Sequence, residues 1–384
     1  MMITFSVLVN IFLFSSIAVA FLSIVLRNNR AILQLDVRFL LICMLGILFR
    51  LLIPIESPIT RNIAIKRVFP DAYIFLKTPV MNEVGQSVSI LTVLRMSWFI
   101  GAFIATIKLI YSYQSIGKTV KSFSEVTDLA IIDMVEQINA QRKKKKAFKL
   151  MTTDSVYTPF VFGIIKTYIV IPQFEISKEE LRFVLKHEMM HYYRGDLIIK
   201  ILSEILKAVY WWNPFVYLLN RLIAQMQEIN VDFDVMRELT DLEKLDYSEI
   251  LVKIAKIREK HKSENKWVVA FQKESPSAVR KRVNLMLENM EISKRKTLMS
   301  LMLSVVIVCQ VVLCPNFFIF EPYSIPEEDA EGSVGLHDDD IFYLKNPDCT
   351  YSLYFNGQYK MNTKEIFDEN IPVYYSLEEV DKNE

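Results

Sequence analysis

Two histidines and a glutamate stand together in one short stretch of the chain, in the order His-Glu-x-x-His. They are His187, Glu188 and His191. Strong helix formers and helical spacing of apolar residues predict a helix over residues 181–202, which places the two imidazoles one turn apart on one face. Such a pair can share a zinc ion, and the glutamate can act as general base toward the catalytic water. The alternative is a surface helix that carries the pattern by chance, although two of the chain's four histidines fall in this pentapeptide.

A catalytic zinc needs a third protein ligand and keeps one position open. The other histidines are poor candidates, because His261 lies in a polar stretch and His337 in an acidic tail. Glu228 is the best carboxylate, because it follows a segment that can fold back onto the catalytic helix after a hinge at Asn213-Pro214. Spacing alone leaves other carboxylates open.

The composition points to a membrane protein. Of 384 residues, 52% are hydrophobic and only 9 are glycine, which is unusual for a purely soluble enzyme. The net charge of +1 gives no electrostatic reason to expect direct nucleic-acid binding. Four cysteines, three of them within apolar runs, indicate neither a disulfide framework nor a zinc-binding pair.

Apolar runs predict four transmembrane helices, with a cleaved signal peptide as the alternative for the first. The four runs are residues 1–26, 39–55, 88–113 and 297–320. Arg27, Arg30 and Arg38 follow the first run, which places that connection in the cytoplasm by the positive-inside tendency. The N-terminus, the loop over residues 56–87 and the tail over residues 321–384 are then external.

Residues 114–296 are charged and amphipathic, which predicts a cytoplasmic α+β domain that carries the His-Glu-x-x-His helix. Its basic run, Arg142–Lys146, is typical of a solvated or lipid-facing surface beside a membrane. Residues 155–172 predict two short strands around Gly163, packed beside the catalytic helix. Charged residues within 197–223 favour two buried helices over another crossing. The acidic tail contains Asn356-Gly357 between two β-rich runs, which predicts a hairpin.

The order and spacing of several motifs resemble those of the BlaR/MecR-type integral-membrane zinc metallopeptidases. These motifs are His187 to His191, Asp196, Trp212-Asn213-Pro214, and Glu228 to Asp232. The resemblance covers roughly the first 320 residues. It implies a mainly α multi-pass fold with a gluzincin-like domain.

The same resemblance assigns roles to residues. It implies one zinc ion per chain bound by His187, His191 and Glu228, with Glu188 as general base. Asp196 and Asp232 are then supporting carboxylates.

The resemblance also implies a cytoplasmic protein substrate, a winged-helix repressor, and self-cleavage between the peptidase core and the last membrane helix. Ala270 and Phe271 lie in an apolar stretch at that place, which can equally be a short docking strand. The tail contains no Ser-x-x-Lys motif of the kind that penicillin-binding sensors use, so β-lactam sensing is not predicted and the external ligand is unknown. Valine at position 231 replaces the family's usual cysteine without removing a ligand. Whether the chain forms a homodimer is left open.

Two other functions remain open from the sequence. One is a housekeeping membrane metallopeptidase of the prenyl-protein or heat-shock type, whose Glu-x-x-x-Asp pattern Glu228 and Asp232 also satisfy. Those enzymes tend to have true crossings just after the zinc helix. The other is a non-catalytic membrane receptor that keeps zinc for structure, although such a site has no need of Glu188.

Overall fold

The structure is a computed structural model. It describes residues 5–35, 37–53, 61–65, 72, 75–77, 79–83, 86–142, 145–173, 176–260, 276–289, 302, 305, 318–322, 341–346, 350–355, 358–363 and 372–374. The chain divides into two compact units, Met1–Pro322 and Tyr323–Glu384. The candidate site lies in the first.

Helices dominate the first unit, as the sequence predicts. In chain order they are α1 (Phe5–Val25), α2 (Asn29–Gln34), α3 (Val37–Leu52), α4 (Ile90–Lys121), α5 (Leu129–Ala140), α6 (Lys178–Arg194), α7 (Asp196–Val209), α8 (Pro214–Met236), α9 (Asp241–Lys260) and α10 (Pro276–Asn289). Within the described residues, α4 alone is long and apolar enough to cross a membrane, and Val9–Val25 of α1 is a shorter apolar helix. Four crossings therefore stay a prediction. The run 297–320 lies almost wholly outside the described residues.

Helices α1, α3, α7 and α8 share one apolar core. Its fully buried members include Leu22, Met44, Leu48, Leu219 and Ile223. Burial of large apolar side chains stabilises such a bundle by roughly 1.5–3 kcal/mol each. The bundle carries the candidate site at one of its ends.

A four-stranded mixed sheet packs against α6. Its strands are β4 (Ser124–Glu125), β5 (Phe148–Thr153), β6 (Phe160–Phe162) and β7 (Thr167–Pro172), in the order β4-β5-β7-β6. Strands β5 and β7 are parallel, while β6 and β7 form the predicted pair around Gly163. Gly163 has φ +91, and a Cβ there would lie 2.2 Å from the Lys166 carbonyl oxygen, so the turn requires glycine.

The predicted continuous helix over residues 181–202 is wrong at Gly195. This residue has φ +77, the left-handed conformation that ends α6, and α7 begins at the next residue. The predicted hinge before the following helix is confirmed: Pro214 is the first residue of α8, and the Asn213 side chain accepts a hydrogen bond from the Phe215 N–H at 2.9 Å.

Two small sheets in the first unit are separate from the four-stranded sheet beside α6. Strands β2 (Pro79–Glu83) and β3 (Gln86–Ser89) form an antiparallel pair. Strand β1 (Arg61–Ile65), from the predicted external loop, pairs in parallel with β8 (Phe318–Pro322), at the end of the predicted fourth crossing. These two distant segments therefore lie at the same place in the fold.

The second unit contains a four-stranded sheet. Its strands are β9 (Ile341–Lys345), β10 (Tyr351–Phe355), β11 (Gln358–Thr363) and β12 (Val373–Tyr374), in the order β11-β10-β9-β12. Strands β10 and β11 are antiparallel and flank Asn356-Gly357, so the predicted hairpin is confirmed.

Candidate metal centre

Helix α6 is fixed at both ends and along one face. The Ser177 hydroxyl accepts from the Glu180 N–H while the Glu180 carboxylate accepts from the Ser177 N–H, which together form a capping box. Leu185 and Met189 pack against the sheet in a cluster that includes Ile169. The sheet therefore sets the rotation of the helix that carries both histidines.

His187, His191 and Glu228 come together, although Glu228 lies on a different helix, α8. The two imidazole Nε2 atoms are 3.2 Å apart. The Glu228 oxygens lie 3.4 Å from Nε2 of His187 and 3.5 Å from Nε2 of His191. Two ligands of a tetrahedral zinc, each about 2.0–2.1 Å from the metal, are separated by roughly 3.4 Å. The two distances from Glu228 belong to its two different oxygens, and one ligand atom from each of the three residues lies within 4.8 Å of the others. The three side chains are therefore close enough to share one zinc ion.

The far side of the His187 ring is held by buried polar groups. Its Nδ1 lies 2.8 Å from the Tyr247 hydroxyl and 3.3 Å from an Asp232 oxygen. The Tyr247 hydroxyl donates to that same Asp232 oxygen at 2.7 Å. Such contacts orient a metal-binding imidazole and leave its Nε2 free for the metal.

The His191 ring is held by a second carboxylate. Its Nδ1 lies 2.8 Å from an Asp196 oxygen, and Asp196 is buried as the first residue of α7. The Gln227 side-chain amide donates to the other Asp196 oxygen at 3.3 Å. Asp196 and Asp232, predicted as supporting carboxylates, thus each lie beside one histidine.

Arg282, on α10, joins two of the acidic groups. Its guanidinium donates to both oxygens of Asp232, at 2.6 and 2.7 Å, and lies 2.9 Å from Glu228. Burial raises the pKa of Glu228, but Arg282 and the two imidazoles outweigh burial and hold that pKa well below its usual range. Burial lowers the pKa of His187, but hydrogen bonds and charges from Asp232 and Glu228 raise it to about 10.

Glu188 lies in the same electrostatic environment. Burial raises the pKa of its carboxyl; the nearby imidazoles of His187 and His191 oppose this, and Glu228 adds to it. A carboxylate with a raised pKa is a better proton acceptor near neutral pH, which is the property required of a general base. The site therefore combines three residues that could hold a metal ion with an adjacent candidate base.

Sequence reasoning missed Tyr247 and Arg282. The sequence around Arg282 could have indicated that this residue is buried. Val279, Leu285 and Met286 lie three or four residues away on the same face of α10, and all three are apolar and buried. An arginine on such a face needs a buried acidic partner.

The Tyr193 hydroxyl, two residues beyond His191, donates to the Asn139 side chain. Ala270 and Phe271 lie outside the described residues. Their predicted part in self-cleavage therefore stays a prediction.

Comparison with known proteins identifies the family. The family model described as BlaR1 peptidase M56 matches residues 10–286, well over half of the chain, and includes all the residues of the candidate metal centre. The chain belongs to the BlaR1 peptidase M56 family. The resemblance inferred from the His-Glu-x-x-His motif and its downstream partners is thereby confirmed.

Individual members of the family match shorter stretches. Regulatory protein BlaR1 of Bacillus licheniformis is 29% identical over 168 residues, which cover 43% of this chain and 28% of that protein. The methicillin resistance mecR1 proteins of Staphylococcus aureus and Staphylococcus epidermidis are each 27% identical over 120 residues, covering 30% of this chain and 20% of those proteins. The chain thus matches less than a third of the length of these relatives.

Proposed function

We propose that this protein is a membrane-embedded zinc metalloendopeptidase that transduces an external signal by cleaving a cytoplasmic protein, a winged-helix transcriptional repressor. The observation that carries the proposal is the convergence of His187, His191 and Glu228, whose ligand atoms lie within 4.8 Å of one another and are close enough to share one zinc ion. Glu188 beside the triad distinguishes a catalytic site from a structural one.

The proposed roles follow from the contacts. His187, His191 and Glu228 would hold zinc, which when bound would polarise the scissile carbonyl and lower the pKa of a water. The Glu188 carboxylate accepts that water's proton and passes it to the leaving amine nitrogen. Asp196 and Asp232 keep the two imidazoles oriented, and Arg282 offsets part of the negative charge of Asp232 and Glu228.

The proposed topology has the zinc site on the cytoplasmic side and both the N-terminus and the C-terminal tail outside. Support comes from the ends of the bundle. The basic connection after α1 lies near the site, because the Lys281 ammonium of α10 donates to the Leu26 carbonyl. The pairing of β1 with β8 brings together the two segments that the topology places outside. The external ligand would act through these segments or the tail.

The test is cleavage of a purified repressor encoded beside this protein's gene by the full chain in liposomes. We expect the wild-type protein with zinc to cut the repressor and the Glu188→Gln variant to leave it intact. Mass spectrometry of the same samples would show whether the chain also cuts itself near Ala270 and Phe271. A wild-type protein that holds zinc and cuts neither the repressor nor itself would refute the proposal and favour a non-catalytic receptor.

The housekeeping alternative is tested with the same protein. Glu228 and Asp232 satisfy its Glu-x-x-x-Asp pattern, and Asp232 is buried against His187. We expect enzymes of that class to have true crossings just after the zinc helix. Reporter fusions that place both ends of residues 197–223 on the cytoplasmic side would therefore disfavour this alternative.

A further inference from the structure

Resting on the membrane location proposed above, we propose that α7 and α8 form a hairpin that enters the bilayer from the zinc-site side and turns back near its far face. Its outer surface would be covered by lipid acyl chains. The sequence argues against a crossing here because the segment carries charged residues. The structure supplies contacts that resolve this objection.

The depth of the hairpin follows from its contacts with α3, which is the second predicted crossing. At the zinc-site end, Arg38 at the start of α3 forms an ion pair with Asp234 of α8 at 2.6 Å. At the other end, the Tyr210 hydroxyl, between α7 and α8, donates to the Leu51 carbonyl at 3.0 Å. The hairpin therefore runs the full length of α3, and its turn lies where α3 ends.

Contacts with α4 place the turn between α7 and α8 at the same depth in the bilayer as the contacts with α3 do. The Trp98 indole donates to the Val209 carbonyl at 2.8 Å, and the Trp211 ring covers Gly101, where a Cβ would lie only 2.3 Å from it. Trp98 stands twenty residues before Lys118, which is about 30 Å along a helix and equals the thickness of a bilayer's hydrocarbon core. The hairpin turn therefore lies about one hydrocarbon thickness from the basic end of α4.

The turn itself has the hydrogen bonding that a turn inside lipid requires. Backbone groups in the hydrocarbon core need partners within the protein. The Val209 carbonyl accepts from Trp98, the Trp211 carbonyl accepts from the Tyr217 hydroxyl at 2.9 Å, and the Asn213 N–H donates to the Tyr210 carbonyl at 2.9 Å. The Asn213 side chain caps α8.

Apolar side chains point away from the bundle along the hairpin. The exposed fractions are 49% for Ile198, 40% for Ile205 and 47% for Trp212. This surface adjoins α4, whose own outer residues are largely exposed and apolar, Phe103 at 67% among them. One continuous apolar surface thus includes α4, which among the described helices is the one long and apolar enough to cross the bilayer. This continuity favours acyl chains as its cover.

The charged residues of the hairpin have partners or lie near the zinc-site end. Glu204 pairs with Lys207 at 2.7 Å and accepts from the Asn220 amide at 3.2 Å. Lys200 lies in the field of Glu228. Arg221 stands seven residues before Glu228, about 10 Å along α8, and its long side chain can extend toward that interface. Charges in membrane segments are usually paired or directed in these ways.

The test uses nitroxide spin labels on the full chain in liposomes. Ile205→Cys and Tyr217→Cys place labels at two independent positions on the hairpin, in a background whose native cysteines are replaced. Leu242→Cys on α9 is the matched control, because it is 71% exposed and lies beyond the site. Power saturation is measured with oxygen, which partitions into lipid, and with a nickel chelate, which stays in water.

Labels at 205 and 217 should collide mainly with oxygen, and the label at 242 mainly with the nickel chelate. Nickel-chelate access at 205 and 217 equal to that at 242 would overturn the proposal. Low access to both reagents at 205 and 217 would also overturn it, because protein would then cover the surface. These readouts require no peptidase activity, so they are independent of the cleavage test. If the protein fails to float with the liposomes, the membrane location itself is wrong.

Discussion

At the scale of residues, each imidazole of the candidate metal centre is held on its Nδ1 side by an acidic residue, His187 by Asp232 and His191 by Asp196. Burying several carboxylates together is unfavourable unless positive charge compensates them. Arg282 provides that charge before any metal binds. The site is therefore oriented in advance by groups from α7, α8, α9 and α10.

Replacing Arg282 by methionine should destabilise the metal-free protein by about 3–5 kcal/mol, because it leaves buried Asp232 and Glu228 without their cationic partner. Zinc should restore part of the loss, because the metal also compensates Glu228. Thermal unfolding in detergent, with and without zinc, measures both effects. Arg280→Met is the control, since Arg280 is exposed on the same helix. Equal unfolding temperatures for the two variants would contradict the assigned role.

Replacing Tyr247 by phenylalanine should weaken zinc binding by about 10–100-fold, the usual effect of losing a group that orients a metal ligand. The hydroxyl that links His187 to Asp232 is lost, while the ring can stay in place. Competition with a chromophoric chelator measures the affinity. Tyr192→Phe, on α6 beside His191, should leave the zinc affinity unchanged. The assignment fails if both variants bind zinc as tightly as the wild type.

Which residues of the site can be predicted from the sequence depends on how far they lie from the His-Glu-x-x-His motif along the chain. His187, Glu188 and His191 can be predicted because one helical turn fixes their spacing. Glu228 can be assigned to the site only if α8 is known to fold back on α6. Tyr247 and Arg282 lie 60 and 95 residues beyond His187, and nothing local indicates that α9 and α10 pack on that return helix.

At the scale of elements, the feature that the sequence does not predict is the break at Gly195. The surrounding residues are good helix formers, and the apolar spacing continues across the break. The left-handed glycine ends α6 four residues after His191 and starts α7 with Asp196, which then reaches the His191 ring. In an uninterrupted helix the Asp196 side chain would point away from the His191 Nδ1 atom, and the contact between them would be lost.

Gly195→Ala should therefore destabilise the protein by about 1–2 kcal/mol through backbone strain alone, because no atom lies within 4 Å of the added Cβ. Gly46→Ala is the control: its Cβ is also unobstructed, but the residue lies inside α3, so alanine should stabilise by about 0.5–1 kcal/mol. Unfolding temperatures of the two variants should shift in opposite directions. An unchanged or raised unfolding temperature for Gly195→Ala would show that the left-handed conformation at this position is not required.

At the scale of the whole molecule, the bundle of α1, α3, α7 and α8 has two different ends. One end carries the candidate metal centre, the Arg38–Asp234 ion pair and the contact from Lys281 to Leu26. The other carries the Tyr210–Leu51 contact and the Trp98 and Trp211 rings. Apolar runs in the sequence locate α1, α3 and α4, but composition alone does not reveal that α7 and α8 run beside them.

Fusion reporters should separate the two ends. We expect alkaline phosphatase, which is active only outside the cytoplasm, to be active when fused after Glu83 or Glu384 and inactive after Lys260. A cytoplasmically fluorescent green fluorescent protein should give the opposite pattern. Phosphatase activity after Lys260 would place the metal centre outside the cytoplasm, and the proposed repressor could not then be its substrate.

The most direct test of the central claim is to measure zinc content and repressor cleavage together in two matched variants, Glu228→Gln and Glu188→Gln. Each removes one carboxylate charge from the same site. We expect Glu228→Gln to lose both zinc and cleavage, whereas Glu188→Gln should keep about one zinc per chain and lose cleavage alone. Full zinc in Glu228→Gln, or unchanged cleavage in Glu188→Gln, would contradict the roles assigned to these two residues.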